Sequence, residues 1–367
     1  VCMAARGVLV PLLGLLVEWV HSAAPPQVPA CPGNTTADDI LASADLTGKL
    51  ALVTGGDSGL GYATALAFAK RGAKVVIATH NQSKGESAAQ AIASMTGADV
   101  SAPWPLDLST LASVRSFAGS FLAKFGPKLN LLINNAGIGG PSVIDRDGYE
   151  LVFEVDYLGH FLLTELLLPA LRNGSPSRIV NTASGAHENA CESAGWPEGC
   201  FQDWTYLPPP SVPRRPVTVH YRSGAAVVNS SSYGIAKFLQ TQHAAALARS
   251  QADHGVQAFS ITPGFALTSM TSGFDPNSTS ARVFCEQQVH PDPSLPTQAC
   301  PFSAGQGAAV IAFCAVGAAK SGAYYSRGFA CEERPVVNHG MTDQMQDELY
   351  VKSLEWVGLK SQTLLAV

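Results

Sequence analysis

At 367 residues the chain is long enough for one large domain or two ordinary ones, and 46% hydrophobic against 14% charged residues excludes a disordered composition. The net charge of −5, with no basic block, excludes the electrostatic footprint of a nucleic-acid-binding surface.

In chain order, Arg6 precedes an apolar run from Gly7 to Val17, followed by Glu18, Trp19 and Val20. The run falls short of the ~20 residues of a membrane span and suits the core of a signal peptide. Ser22, Ala23 and Ala24 supply small residues for cleavage, whereas Pro25 disfavours it, so residues 1–24 read as a signal peptide or signal-anchor. A buried N-terminal helix is the plain alternative. Residues 25–46 carry Pro25, Pro26, Pro29, Pro32 and Gly33 and read as a linker without regular elements.

From Lys49 the texture changes. Leu50 to Val53 predicts a buried strand ending in a turn, and an Ala-rich helix follows from about Tyr62 to Arg71, stopped by Gly72. Lys74 to Thr79 predicts a second strand, and a further helix–strand unit leads to Trp104-Pro105-Leu106-Asp107. Leu129 to Ile133 is a fourth strand, then a helix over Tyr149–Leu171, a strand over Arg178–Thr182, a helix over Tyr233–Ser250 and a strand over Val256–Thr262. Residues 304–316 and 343–357 also read as helical. Apolar strands alternating with helices predict an α/β fold, a doubly wound parallel sheet of the Rossmann type. We expect a single domain over 47–358, with inserted loops near 185–229 and 271–303 and a C-terminal tail from 359. Loops of that length suit a lid or a disulfide-tied insertion.

Among eight cysteines, Cys191/Cys200 and Cys285/Cys300 each bracket a short polar stretch and suggest two local disulfides. No CxxC spacing or histidine pair offers a metal site. Acceptor sequons stand at Asn34, Asn81, Asn173, Asn229 and Asn277. Together with the start of the chain, these features predict a glycosylated protein of the secretory lumen or secreted, with membrane attachment through the N-terminal segment left open. A cytosolic protein with free thiols is the alternative.

The first strand ends in Thr54-Gly55-Gly56-Asp57-Ser58-Gly59-Leu60-Gly61. Glycines here allow a sharp turn and close approach of a pyrophosphate to the amides at a helix start. The spacing TGxxxGxG resembles that of the short-chain dehydrogenase/reductase family. Further family motifs follow in order: Asn134-Asn135-Ala136-Gly137, Asn181-Thr182-Ala183-Ser184, Tyr233-Gly234-Ile235-Ala236-Lys237 as YxxxK, and Pro263-Gly264-Phe265-Ala266-Leu267-Thr268 as PGxxxT. Leu158-Gly159-His160-Phe161 and Ser184-Gly185-Ala186-His187 are similar to the retinol-dehydrogenase-like branch. The resemblance runs from about Gly48 to Gly358.

The resemblance implies an oxidoreductase that transfers hydride between a nicotinamide and an alcohol or carbonyl carbon, with a small or lipophilic substrate such as a retinoid, steroid or aldehyde. It assigns catalysis to Ser184, Tyr233 and Lys237. It assigns the dinucleotide to Gly55, Asp57, Ser58, Gly59, Leu60, Gly61, His80, Asp107, Asn135, Ala136, Gly137, Tyr233, Lys237, Pro263, Gly264 and Thr268. Elementary chemistry agrees on the Tyr–Lys pair. Residues four apart share a helix face, and an ammonium beside a phenol favours the phenolate, which a phenol with its ordinary pKa near 10 needs to act as a base.

Two positions depart from the pattern. Asp156 stands where the family has an asparagine; ionised aspartate only accepts hydrogen bonds. Asp156 is expected to help keep Lys237 protonated, the opposing reading being a damaged proton relay. After the second strand come Thr79-His80-Asn81, with Lys84 nearby and no carboxylate to repel a phosphate, so NADP(H) is expected ahead of NAD(H). His160 and His187 lie near motifs, though a lone histidine is more often packed than catalytic. Trp196, Phe201, Trp204 and Tyr206 form either an apolar wall for substrate or the core of a small loop. A nucleotide-binding sensor or interaction module of the same fold, without catalysis, is the second function considered; a nucleotide-sugar epimerase lacks its TGxxGxxG spacing. Pairing of the chain with itself is left open.

Overall fold

The computed structural model describes residues 31–139, 143–194, 199–202, 216–221, 224–229, 232–271, 300–317 and 319–360. Strand β1 (Leu50–Thr54) is buried along its whole length because both faces of the sheet are covered. Leu50 and Leu52 enter one core with Val114, Phe117, Phe161 and Phe238, while Ala51 and Val53 enter the other with Phe68, Ile92, Val310 and Ile311. This alternation is the two-residue period of a strand working between two helical layers.

Around β1 the chain adds α2 (Gly59–Lys70), β2 (Lys74–Ala78), α3 (Gln82–Thr96), β3 (Val100–Ser101), α4 (Leu111–Phe125) and β4 (Leu131–Asn134), after a short α1 (Ala37–Ile40). Next come α5 (Leu151–Phe153), a π-helical turn at Glu154–Leu158, α6 (Gly159–Asn173) and β5 (Ser177–Thr182). Then follow α7 (Ala190–Ser193), β6 (Pro216–Tyr221), β7 (Gly224–Asn229), α8 (Tyr233–Ser250) and β8 (Val256–Thr262). The chain closes with α9 (Ala304–Gly307), α10 (Ala309–Val316), β9 (Tyr324–Ser326), β10 (Glu332–Arg334) and α11 (Asp343–Trp356). The eight-stranded sheet runs β10-β9-β8-β5-β4-β1-β2-β3. Every pairing in it is parallel except β9 with β10. The chain winds outward from β1 to β3 and restarts on the other side at β4. The carboxyl ends of β1 and β4 therefore form the switch point at which doubly wound folds open a crevice.

The expected doubly wound sheet is observed, and α8 and β8 have the bounds read from the sequence. Four features differ from expectation. The helix expected over Tyr149–Leu171 is interrupted by the π turn, which rotates Glu154 and Asp156 relative to an unbroken helix. Strands β9 and β10, three residues each, extend the sheet beyond the last expected strand. The insertion 185–229 contains the antiparallel hairpin β6–β7.

The last correction concerns the supposed linker 25–46. Thr36 and Asp39 form a capping box on α1, and Cys31, Ile40, Leu41 and Leu46 are buried. Cys31 is disulfide-bonded to Cys331, and the buried Arg327 guanidinium donates to the carbonyls of Cys31, Gly33 and Thr35. Proline and glycine prevent a long helix here, but partners about 300 residues away impose order that local composition cannot report.

Of the local disulfides, Cys191–Cys200 forms, and Cys300 is disulfide-bonded; Cys285 lies outside the described residues, as do the apolar run at 7–17 and most of 271–303. Sequon residues Asn34 and Asn173 are exposed, and Asn81 caps α3 by accepting from the Lys84 amide. Among the described residues no helix is long and apolar enough to cross a membrane.

Candidate active site

The site is built outward from Thr54, at the end of β1. Its Oγ1 accepts the backbone N–H groups of Asn135 at 2.8 Å and Ala136 at 2.9 Å, and meets His160 Nε2 at 2.9 Å. The Asn135 side chain returns a bond to the Thr54 carbonyl at 2.9 Å. These bonds lock the end of β4 against the glycine turn. Gly55 holds φ +63°, where an L side chain is strained, and a Cβ on Gly61 would sit 2.2 Å from the Gly55 carbonyl oxygen. Gly61 therefore serves the close packing of helix start on turn. Deeper in the sheet, Asn134 Nδ2 donates to Asn181 Oδ1 at 2.9 Å, and Asn181 Nδ2 donates to the Gln240 carbonyl at 3.1 Å. That chain of amides fixes α8 to β5 and so sets the height of Tyr233 and Lys237.

A cavity of about 970 Å³ opens over these strand ends. Every residue assigned to the dinucleotide on sequence grounds lines it except Gly61, and so do Ser184, Tyr233 and Lys237. Asp156 does not line it; it lies beneath Lys237. At one end the exposed His80 and Lys84 flank Thr79, and Asp107 turns its carboxylate into its own loop, accepting from Ser109 N and Oγ. At the other end, Leu151, Val155, Phe265 and Met270 give the wall apolar side chains. Thr268 faces the helix start, since a Cβ on Gly59 would lie 3.2 Å from its methyl.

Lys237 is the most constrained cation of the site. Its Nζ donates to the Thr182 carbonyl at 2.9 Å and to Gln240 Oε1 at 3.1 Å, lies 3.1 Å from Asp156 Oδ2, and sits 5.3 Å from the centre of the Tyr233 ring. Burial pulls the ammonium down, but Asp156 and Tyr233 outweigh it and hold Lys237 above the ordinary lysine range. The Asp156 carboxyl is fully buried, and its Oδ1 accepts from Ile138 N at 2.8 Å. Burial pushes the Asp156 carboxyl up, opposed by Lys237 and the Ile138 amide.

Ser184 Oγ accepts from Ala186 N at 3.2 Å, capping a 3-10 turn at Gly185–Asn189. His187 in that turn donates through Nδ1–H to the Ser184 carbonyl, 2.8 Å away, and packs edge-on against Tyr324. Burial pulls His160 down to about 3 and His187 to about 4, so both are neutral packed side chains at ordinary pH. Phe201 is buried and packs tilted against Phe238 of α8, so it joins the main core on that face of the sheet; Trp196, Trp204 and Tyr206 lie outside the described residues.

Residues that sequence reasoning missed are Thr54, Glu154 and Gln240. Gln240 lies three residues after Lys237 on a helix, a spacing that could have found it. Glu154 is buried on the π turn, and burial with Asp145 and Asp147 nearby pushes its carboxyl up to about 10. A carboxyl raised this way contributes stability below its unfolded value near 4.5 and loses it progressively as pH rises towards 10. Glu154→Gln should therefore stabilise the protein by about 2–3 kcal/mol at pH 7, with the gain vanishing near pH 4. Urea unfolding at the two pH values checks this; an equal effect at both would contradict it.

The sequence model for short chain dehydrogenases matches residues 49–195, from β1 through the turn after Ser184. Through this segment the chain resembles the short-chain dehydrogenase family. Tyr233 and Lys237 lie beyond the matched segment. Human retinol dehydrogenase 11 is 42% identical over 178 residues, 48% of this chain and 55% of its own length. An uncharacterized oxidoreductase of Schizosaccharomyces pombe is 37% identical over 234 residues, 62% of this chain and 63% of its own. The chain spans about half the length of the curated relatives it matches. Among solved structures, the RhlG/NADP active-site complex of Pseudomonas aeruginosa aligns over 78% of this chain and 98% of its own, with TM-score 0.55 and 23% identity. At that identity the likeness speaks for the fold. These relatives support the resemblance to the retinol-dehydrogenase-like branch that the motifs suggested.

Proposed function

We propose that the protein is an NADP(H)-dependent oxidoreductase acting on an alcohol or carbonyl compound with a lipophilic body. The observation that carries the reading is one cavity shared by the glycine turn, the Tyr233–Lys237 pair and Ser184. The residues fit a dinucleotide. In the turn Gly55–Gly61 a Cβ at Gly61 would meet the Gly55 carbonyl and Gly55 and Gly59 hold positive φ, while Ser58, Gly59 and Leu60 at the start of α2 line the cavity, where a helix start offers amides to an anion. Bound NADP(H) supplies or accepts the hydride.

The chain's own side chains handle the proton and the position. The Tyr233 hydroxyl gives a proton to the substrate oxygen in reduction and takes it back in oxidation. Ser184 Oγ donates a hydrogen bond to the same oxygen and steadies its developing charge. Lys237, held charged by Asp156, keeps a positive field on the phenol side of the cavity. Leu151, Val155, Phe265 and Met270 offer an apolar surface to the substrate body.

For the cofactor, His80 and Lys84 at the β2 end favour a phosphate over bare ribose hydroxyls. Fluorescence titration of the full chain with NADPH and NADH is expected to give a lower Kd for NADPH by at least about tenfold, since one charged contact is worth more than 1 kcal/mol. Lys84→Glu should narrow that ratio. Tighter binding of NADH by the parent chain would overturn the assignment.

A further inference from the structure

Ser184 follows β5 with an extended backbone, φ −160° and ψ 154°, just before the 3-10 turn at Gly185–Asn189. Its Oγ accepts from Ala186 N at 3.2 Å, which uses a lone pair and leaves the hydroxyl proton for the substrate oxygen. The direction of that proton follows the geometry of the turn. The Ser184 carbonyl accepts two bonds from one residue: the His187 backbone N–H at 3.1 Å and the His187 ring Nδ1–H at 2.8 Å. The first is the ordinary bond of a 3-10 turn, and the second is added by the side chain. The His187 carbonyl is held in turn by His339 Nε2–H at 2.6 Å, from the segment before α11. The ring itself lies edge-on to Tyr324 of β9, with centres 4.7 Å apart. Core packing does not explain an imidazole at this place. His187 is fully buried, and its Nε2 has no hydrogen-bond partner among the described residues. A leucine would fill the space without leaving a buried acceptor unmet, which costs stability. What distinguishes the ring from an apolar filler is its Nδ1–H.

We infer that His187 is a positioning residue for Ser184: its Nδ1–H fixes the Ser184 carbonyl, and with it the direction in which Ser184 Oγ offers its proton to the substrate oxygen. The inference rests on the oxidoreductase reading above and deepens it. His187 touches neither substrate nor dinucleotide, since it does not line the cavity. It acts by removing a freedom of the turn, so that the serine hydroxyl needs no rearrangement as charge develops on the substrate oxygen. Its effect therefore belongs to the chemical step and not to cofactor binding.

The test compares the full chain with His187→Leu and His187→Asn, measuring kcat and KM for a carbonyl substrate of the parent, the Kd for NADPH and the melting temperature. Leucine removes the donor and the unmet acceptor together. Its kcat should fall about tenfold, the worth of one neutral hydrogen bond, while KM and the NADPH Kd stay within about twofold and the melting temperature does not drop. Asparagine carries an amide N–H on the same carbon that bears Nδ1 in histidine, so it should restore kcat to within about threefold of the parent. A merely structural role would lower the melting temperature of the leucine variant and weaken NADPH binding along with turnover. Where His187→Leu does not fold, His187→Gln, whose amide lies one carbon too far out, carries the same expected loss of kcat. A kcat within twofold of the parent in the donor-less variant, or an asparagine variant no better than it, overturns the inference and leaves the oxidoreductase reading standing. A parent chain that reduces no carbonyl compound with NADPH overturns both.

Discussion

Tyr233→Phe is expected to lower turnover of a carbonyl substrate by about a thousandfold, the usual contribution of a positioned proton donor. The substitution removes one oxygen and leaves the ring, so the packing beside Lys237 survives and NADPH affinity should change little. Loss of kcat with an unchanged cofactor Kd is the signature of a proton-transfer group. Single-turnover kinetics on parent and variant check it. Turnover within a few-fold of the parent would move the proton donor away from Tyr233, whose ring centre lies 5.3 Å from Lys237 Nζ.

Lys237→Met is expected to be the most destabilising single change in the site. It leaves the Asp156 carboxylate, fully buried, without its cation, and breaking such a pair costs about 3–5 kcal/mol. The sign of the pH dependence follows from burial. Burial already holds the Asp156 carboxyl above its ordinary value; without Lys237 only the Ile138 amide opposes it, so the folded pKa rises further and the variant loses stability as pH rises above the carboxylate's unfolded value of 3.8. The deficit should accordingly be largest at neutral pH and shrink towards pH 4. Adding Asp156→Leu should recover much of it, because an apolar pair of similar volume needs no compensating charge. Urea unfolding of parent, single and double variants decides the matter. A double variant no more stable than the single one would contradict the buried-pair account.

Much of the site was legible in the sequence because its chemistry sits in contiguous motifs at strand ends. The glycine turn after β1, Asn134–Gly137 after β4, Ser184 after β5 and Tyr233–Lys237 at the start of α8 each need only a few neighbouring residues to read. The helix at Tyr233–Ser250 and the strand at Val256–Thr262 were equally plain, since an apolar strand between two helical layers leaves a continuous run. What stayed hidden depends on partners far along the chain or on irregular geometry. The π turn at Glu154–Leu158 leaves the apolar spacing of a helix intact and shows only in the backbone. Cys31 finds Cys331, and Arg327 finds the carbonyls beside Cys31, across almost the whole chain. Strands β9 and β10 are too short to impose a period of their own. Gln240 is recognisable only from its contact with Lys237, where β5, α8 and the π turn meet around one ammonium.

One measurement bears most directly on the claim that this cavity carries hydride transfer. The full chain is incubated with NADPH deuterated at its transferable position and a panel of lipophilic aldehydes and ketones, and the products are read by mass spectrometry. The account predicts an alcohol carrying the deuterium on the carbon that bears the oxygen, formed by the parent and not by Tyr233→Phe. Bound NADPH with no labelled alcohol from any member of the panel would contradict it.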